Sequence, residues 1–171
     1  ATDRDAYGIY VQSPFPKENR RILIGSDVSS RYTRRNRAEY RKIAGYIARC
    51  VWQRQGNYMV FFPSYRLMED VLQVYEEEFS VDWVRCVCQT PDMTEQEREG
   101  FLEEFQEREG TLVGFCVLGG IFSEGVDLTG ESLIGAVIVG TGLPQIGSQR
   151  EIPKEYYDKK NHCGFDYAYR Y

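Results

Sequence analysis

Two short apolar runs, Val113–Leu118 and Leu133–Val139, enclose a polar loop rich in glycine, and this arrangement most constrains the fold. The loop reads Gly119-Gly120-Ile121-Phe122-Ser123-Glu124-Gly125-Val126-Asp127-Leu128-Thr129-Gly130. Short apolar runs bounded by glycines read as buried strands, the mark of a parallel sheet covered on both faces. In such sheets ligands bind in the loops at the carboxyl ends of the strands. The loop leaving the first run is therefore the place to look for chemistry.

The rest of the chain supplies the other layers. Asn36, with Glu39 three residues on, resembles a capping box, and Tyr40, Ile43, Ala44, Ile47, Ala48 and Val51 follow at helical spacing, so a helix is expected from 37 to 54. Tyr58–Phe62 reads as a strand closed by Pro63. Ser64 then stands where an N-cap would, before a helix over 64–79 carrying Leu67, Met68, Val71, Leu72 and Tyr75. Val81–Cys88 reads as another strand, and Thr94 with Glu97 opens an acidic helix to Glu109 whose glutamates read as a solvated face. Arg21–Gly25 is a further strand candidate. The tail beyond Pro144 reads only as polar and aromatic. Strand and helix alternate, which predicts an α/β domain with a mainly parallel sheet and right-handed crossovers.

Composition narrows the chemistry. The 171 residues, 42% apolar, suit one domain over 1–171, and no run is long enough to span a membrane. No secretory signal stands at the start, and the opening Ala1 suggests an excised piece. Five cysteines, an odd number set mostly in apolar runs, point to reduced thiols and a cytoplasmic protein. One histidine, His162, argues against a triad or a histidine-rich metal site, and no metal site is expected. No Gly-Lys pair occurs, so there is no G-x-x-x-x-G-K-[ST] phosphate loop. Residues 1–54 hold 12 Lys/Arg against 5 Asp/Glu, and residues 55–171 reverse this with 9 against 21. Four arginines fall between Arg31 and Arg37, beside Tyr32 and hydroxyl residues; such a segment suits phosphate contacts and equally a plain surface loop. In the glycine loop, Ser123, Glu124 and Asp127 offer a hydroxyl and two carboxylates to a ligand. Spacing alone leaves open a nucleotide- or sugar-phosphate-binding module using Gly119–Gly130, and an interaction scaffold without a ligand.

Particular residues carry more than spacing does. Phe61-Phe62-Pro63-Ser64-Tyr65 after a strand, then Leu118-Gly119-Gly120, Ser123-Glu124-Gly125-Val126-Asp127-Leu128 and Val139-Gly140-Thr141-Gly142-Leu143-Pro144-Gln145, resemble motifs IV and V and their surroundings in superfamily 2 DNA helicases. The likeness is to the DinG-like branch, relatives of the eukaryotic nucleotide-excision-repair helicase, and Ser13-Pro14-Phe15 shares it. It runs from about residue 10 to the end. The resemblance implies a RecA-like (P-loop NTPase-type) three-layer domain with helices on both faces. It implies the second of two motor domains, with ATP and Mg2+ held mainly by the N-terminal RecA-like domain of the same polypeptide and single-stranded DNA as partner.

By that resemblance Gly125 and Asp127, with Glu124 a weaker member, face the ATP cleft. Ser64, Tyr65 and Ser123 face the DNA path. Arg34, Arg35 and Arg37 are added as DNA contacts on charge alone. Motif VI, a Q-x-x-G-R-x-x-R helix supplying the arginine finger, is expected after the tyrosine-rich tail; Phe165–Tyr171 looks like its lead-in, and the chain ends before it. No catalysis by the 171 residues alone is expected.

Overall fold

A computed structural model describes residue 11 and residues 16–106, 110–122, 126, 128–140, 148–161 and 163–169. Among the described residues four strands form one sheet: β1 (Asn57–Phe62), β2 (Val84–Cys88), β3 (Thr111–Val117) and β4 (Gly135–Ile138). Their order is β2-β3-β1-β4 and every pairing is parallel, with Val60 opposite Phe115 on one side and Val137 on the other. The central strands carry the most buried side chains, and β3 is buried along its whole length. This is the near-continuous apolar strand expected of a sheet with two covered faces.

Side-chain alternation assigns the faces. Tyr58, Val60 and Phe62 of β1, with Val113, Phe115 and Val117 of β3, meet one layer of helices. That layer is α1 (Arg37–Val51) and α2 (Tyr65–Glu78), which contribute Ile43, Ile47, Val51, Leu67, Val71 and Tyr75. Met59, Leu112 and Cys116 point the other way, onto Phe101 of α3 (Glu95–Glu103) and Phe105 just beyond it. From β1 the chain crosses two strand positions through α2 to reach β2. It then returns one position through α3, on the opposite face. Direction and face reverse together, so both crossovers have the same hand.

Local chemistry sets the helix ends. Asn36 Oδ1 accepts from the Glu39 N–H at 3.1 Å, and Ser64 Oγ accepts from the Leu67 N–H at 3.4 Å. Thr94 and Glu97 form a complete capping box. The Asn36–Glu39 pair is only half of one. The Glu39 carboxylate instead accepts from the Ser29 N–H at 3.0 Å, tying the preceding segment to α1, and from Lys42 of the same helix at 3.1 Å.

Two expectations are corrected. Arg21–Gly25 joins none of the four strands, and Ile22, Leu23 and Ile24 are 70%, 74% and 87% exposed. β-propensity describes fitness for a pleated, half-buried surface, and without a ladder partner it does not make a strand. The tail carries two helices, α4 (Ser148–Asn161) and α5 (Gly164–Tyr169). Pro153 lies inside α4 and Gly164 opens α5. Ser13-Pro14-Phe15, Thr141–Gln145 and His162 lie outside the described residues.

Candidate nucleotide and nucleic-acid interface

The carboxyl ends of the strands form one edge, and backbone hydrogen bonds carry the sheet slightly past its ladders. The Leu118 N–H donates to the Phe62 carbonyl, the Val139 N–H to the Phe61 carbonyl and the Gln89 N–H to the Phe115 carbonyl, each at 2.8 Å. The segments leaving β1, β2, β3 and β4 (Pro63-Ser64-Tyr65, Gln89-Thr90, Leu118-Gly119-Gly120 and Val139-Gly140) therefore start from fixed positions beside one another. This is where parallel α/β sheets bind ligands.

Ser64 and Tyr65 sit at the exit of β1. Ser64, as N-cap of α2, uses a lone pair on the Leu67 N–H, which leaves its own O–H to donate. Tyr65 is half-buried, and its hydroxyl accepts from Gln89 Nε2 at 2.9 Å. Burial raises the Tyr65 phenol above its usual range, with the Gln89 bond acting against that rise. Gln89 is itself buried, and its Oε1 accepts from the Val117 N–H at 3.0 Å. Sequence reasoning passed over Gln89. β2 itself is only partly buried, and both side-chain partners of Gln89 are distant in sequence, so no local pattern marks it.

The turn after β3 is held from below. Phe122 is buried and its ring stacks on Phe101 with centroids 4.3 Å apart. Val126, Leu128 and Leu133 pack against the same cluster. Gly119 takes φ +72°, a left-handed conformation that favours glycine, with open space where a side chain would stand. Ser123, Glu124, Gly125 and Asp127 lie outside the described residues.

The arginines separate into two groups. Ser30 comes to the sheet edge: a Cβ on Gly140 would lie 2.6 Å from Ser30 Oγ and 3.9 Å from Pro63 Cγ. Arg35 Nε donates to the Ser30 carbonyl at 3.4 Å, and its guanidinium lies 5.5 Å from the Tyr32 ring centroid. Arg35 is thus tied to the edge that holds Ser64, and Arg34, exposed, is its neighbour. Arg37 is drawn elsewhere, pairing with Glu77 at 2.7 Å and Glu78 at 3.0 Å. Those glutamates close α2, about 20 Å along its axis from Ser64 at 1.5 Å per residue.

Among the described residues no cluster of His, Cys, Asp and Glu could hold a metal ion, and no helix is long and apolar enough to cross a membrane. The five cysteines carry free thiols.

Comparison with known proteins fits this geometry. The chain is 28% identical over 138 residues to a probable ATP-dependent helicase of Methanocaldococcus jannaschii, covering 80% of this chain and 20% of that protein. A solved structure of XPD helicase superposes with a TM-score of 0.65 at 23% identity, over 85% of this chain and 25% of its own. An apo XPD structure gives 0.64 at 21%, over 84% and 28%. At these identities the two structures speak for the fold, a RecA-like α/β domain. The chain spans about a fifth of the length of the helicase relative it matches. Residues 47–171, which include all four strands and both segments that leave β1 and β3, match the helicase C-terminal domain family, and the chain belongs to it.

Proposed function

We propose that the chain works as the second RecA-like motor domain of an ATP-dependent DNA helicase of the DinG-like branch, acting in repair or a related process. One juxtaposition carries this reading. Pro63-Ser64-Tyr65 and the Leu118-Gly119-Gly120 turn leave adjacent parallel strands at the same edge, the first toward a DNA path and the second into Ser123–Leu128.

The described residues suit a shared nucleotide site. The chain has no phosphate loop of its own, and exposed Gly119 leaves the exit of β3 open to a second surface. Glu124, Gly125 and Asp127 would line that side of the cleft, opposite an N-terminal RecA-like domain of the same polypeptide. ATP with Mg2+, when bound between them, supplies the phosphoryl group whose transfer drives the cycle. Closure of the cleft is then passed through the Gly119–Leu128 segment to the DNA edge, and alternating closure and opening carries the two domains along one strand.

Contacts to single-stranded DNA from Ser64, Ser123, Arg34 and Arg35 would go to phosphates and sugars, because a translocating motor must not depend on sequence. Tyr65, its hydroxyl held by Gln89, would offer its ring for stacking. Arg37 would join them only by giving up Glu77 and Glu78. Five free thiols suit a reducing, cytoplasmic setting.

In the longer polypeptide, Asp127→Ala should lower DNA-stimulated ATP turnover at least about tenfold, the effect of losing roughly 1.4 kcal/mol of transition-state stabilisation. Unchanged turnover would remove Asp127 from the cleft. The 171-residue chain alone should not hydrolyse ATP. Robust, DNA-stimulated turnover by it would overturn the shared-site reading.

A further inference from the structure

Gln89 is a buried amide in a place where packing alone asks for none. β2 ends at Cys88, and its ladder with β3 ends with Cys88 opposite Phe115. Two residues on, the Val117 N–H of β3 has passed the last rung on that side. Gln89 supplies what the ladder lacks. Its backbone N–H donates to the Phe115 carbonyl at 2.8 Å, and its Oε1 takes the Val117 N–H at 3.0 Å. The same side chain then reaches past β3, and Nε2 donates to the Tyr65 hydroxyl at 2.9 Å. In strand order β2-β3-β1, one amide from the end of β2 holds the end of β3 and the segment leaving β1.

The turn beyond β3 is fitted to that amide. A Cβ on Gly120 would lie 2.8 Å from Gln89 Nε2, 3.3 Å from its Oε1 and 3.0 Å from the Val117 carbonyl. The turn can close over Gln89 only because position 120 has no side chain. A buried amide is costly unless bonded, and bonded at both ends it fixes the relative placement of its partners.

We infer that Gln89 is a positioning residue that locks Tyr65 to the Val117–Gly120 turn, so that the residues facing DNA and the segment entering the nucleotide cleft move as one piece. The inference rests on the motor reading for its purpose, and on the amide geometry alone for its existence. It assigns Gln89 no contact with nucleotide or DNA.

The lock is tested in the 171-residue chain by amide hydrogen exchange. Gln89→Leu should speed exchange at Val117 and through Phe122 about tenfold or more, with β1 amides unchanged. Tyr65→Phe, which removes only the hydroxyl, should speed exchange at the same turn although Tyr65 bonds none of its amides. Gln89→Glu keeps an oxygen for the Val117 N–H and can accept from the Tyr65 O–H, so it should restore protection at Val117. An unaffected turn in Tyr65→Phe, or equal loss in the Leu and Glu variants, overturns the inference.

The longer polypeptide then tests the purpose. Gln89→Leu and Tyr65→Phe should each reduce DNA-stimulated ATP turnover, and the double variant should be no worse than Gln89→Leu; multiplying effects would show two independent residues and overturn the coupling. If the unaltered polypeptide has no DNA-stimulated turnover, the motor reading fails, and the exchange experiment still decides whether Gln89 locks the turn.

Discussion

Tyr75 shows how much one buried atom can cost. Its ring lies edge-on to Phe115 with centroids 5.7 Å apart, and the residue is 1% exposed at the interface of α2 with the sheet. Its hydroxyl has no hydrogen-bond partner among the described residues, and burial pushes the phenol far above its usual range. A buried hydroxyl without a partner pays its desolvation and gets nothing back. Tyr75→Phe keeps the ring contacts and removes that cost. It should stabilise the protein by about 1 kcal/mol, raising Tm by roughly 2–4 °C for a chain of this size. A thermal melt that moves down would mean the hydroxyl is satisfied. The apolar stripe through Leu67, Met68, Val71 and Tyr75 places the ring in the core from sequence. Whether a tyrosine hydroxyl finds a partner depends on the opposing strand, and no local pattern carries that. Gln89 was illegible for the same reason: its partners lie 24 and 28 residues away.

At the scale of elements, helix starts were more legible than what lies beside them. Asn36, Ser64 and Thr94 cap as their sequences suggest, because capping is decided within four residues. Arg21–Gly25 failed because a strand is a property of a pair. The segment after it is held to α1 by Glu39, whose carboxylate accepts from the Ser29 N–H, and by Asp27, whose carboxylate accepts from Tyr46 and whose carbonyl accepts from Lys42. Lys42 and the Ser29 N–H hold the Glu39 carboxyl below its usual range. Arg37 lowers Glu77, Arg41 lowers Glu78, and the Thr94 backbone lowers Glu97. Each is depressed relative to the unfolded chain, so the stability it contributes is fully present above the ordinary glutamate value of 4.5 and is lost as pH falls through the lower folded value. Tm should therefore hold between pH 7 and about pH 5 and drop below it. Glu39→Gln should flatten part of that acid slope and speed exchange at Ser29. An acid slope identical to that of the unaltered chain would show Glu39 to be an idle surface charge.

The whole molecule depends on two faces of one sheet closing at once, and two glycines separate the forces involved. Gly114 lies at the middle of β3, where a Cβ would stand 2.6 Å from Phe105 Cζ and 3.1 Å from Phe101 Cζ. Its missing side chain is what lets the aromatic layer of α3 settle on the sheet, and Phe101 in turn carries Phe122 and the turn toward the proposed cleft. Gly100 sits one residue before Phe101 on α3, with nothing within 4 Å of a Cβ there. The sequence gives both as glycines in apolar or helical surroundings and cannot tell them apart; only the opposing layer does. Gly114→Ala should cost about 1–3 kcal/mol through overpacking, whereas Gly100→Ala should gain about 0.5–1 kcal/mol by lowering the backbone entropy of the unfolded chain and favouring the helix. Thermal melts of the two variants should therefore move in opposite directions. Gly114→Ala should also expose the Gly119–Phe122 amides to exchange, since a displaced Phe101 no longer supports Phe122, and Gly100→Ala should leave them protected. If Gly114→Ala melts as the unaltered chain does, the aromatic layer has room to give, and the support it lends to the turn after β3 is looser than the 4.3 Å stacking of Phe101 on Phe122 implies.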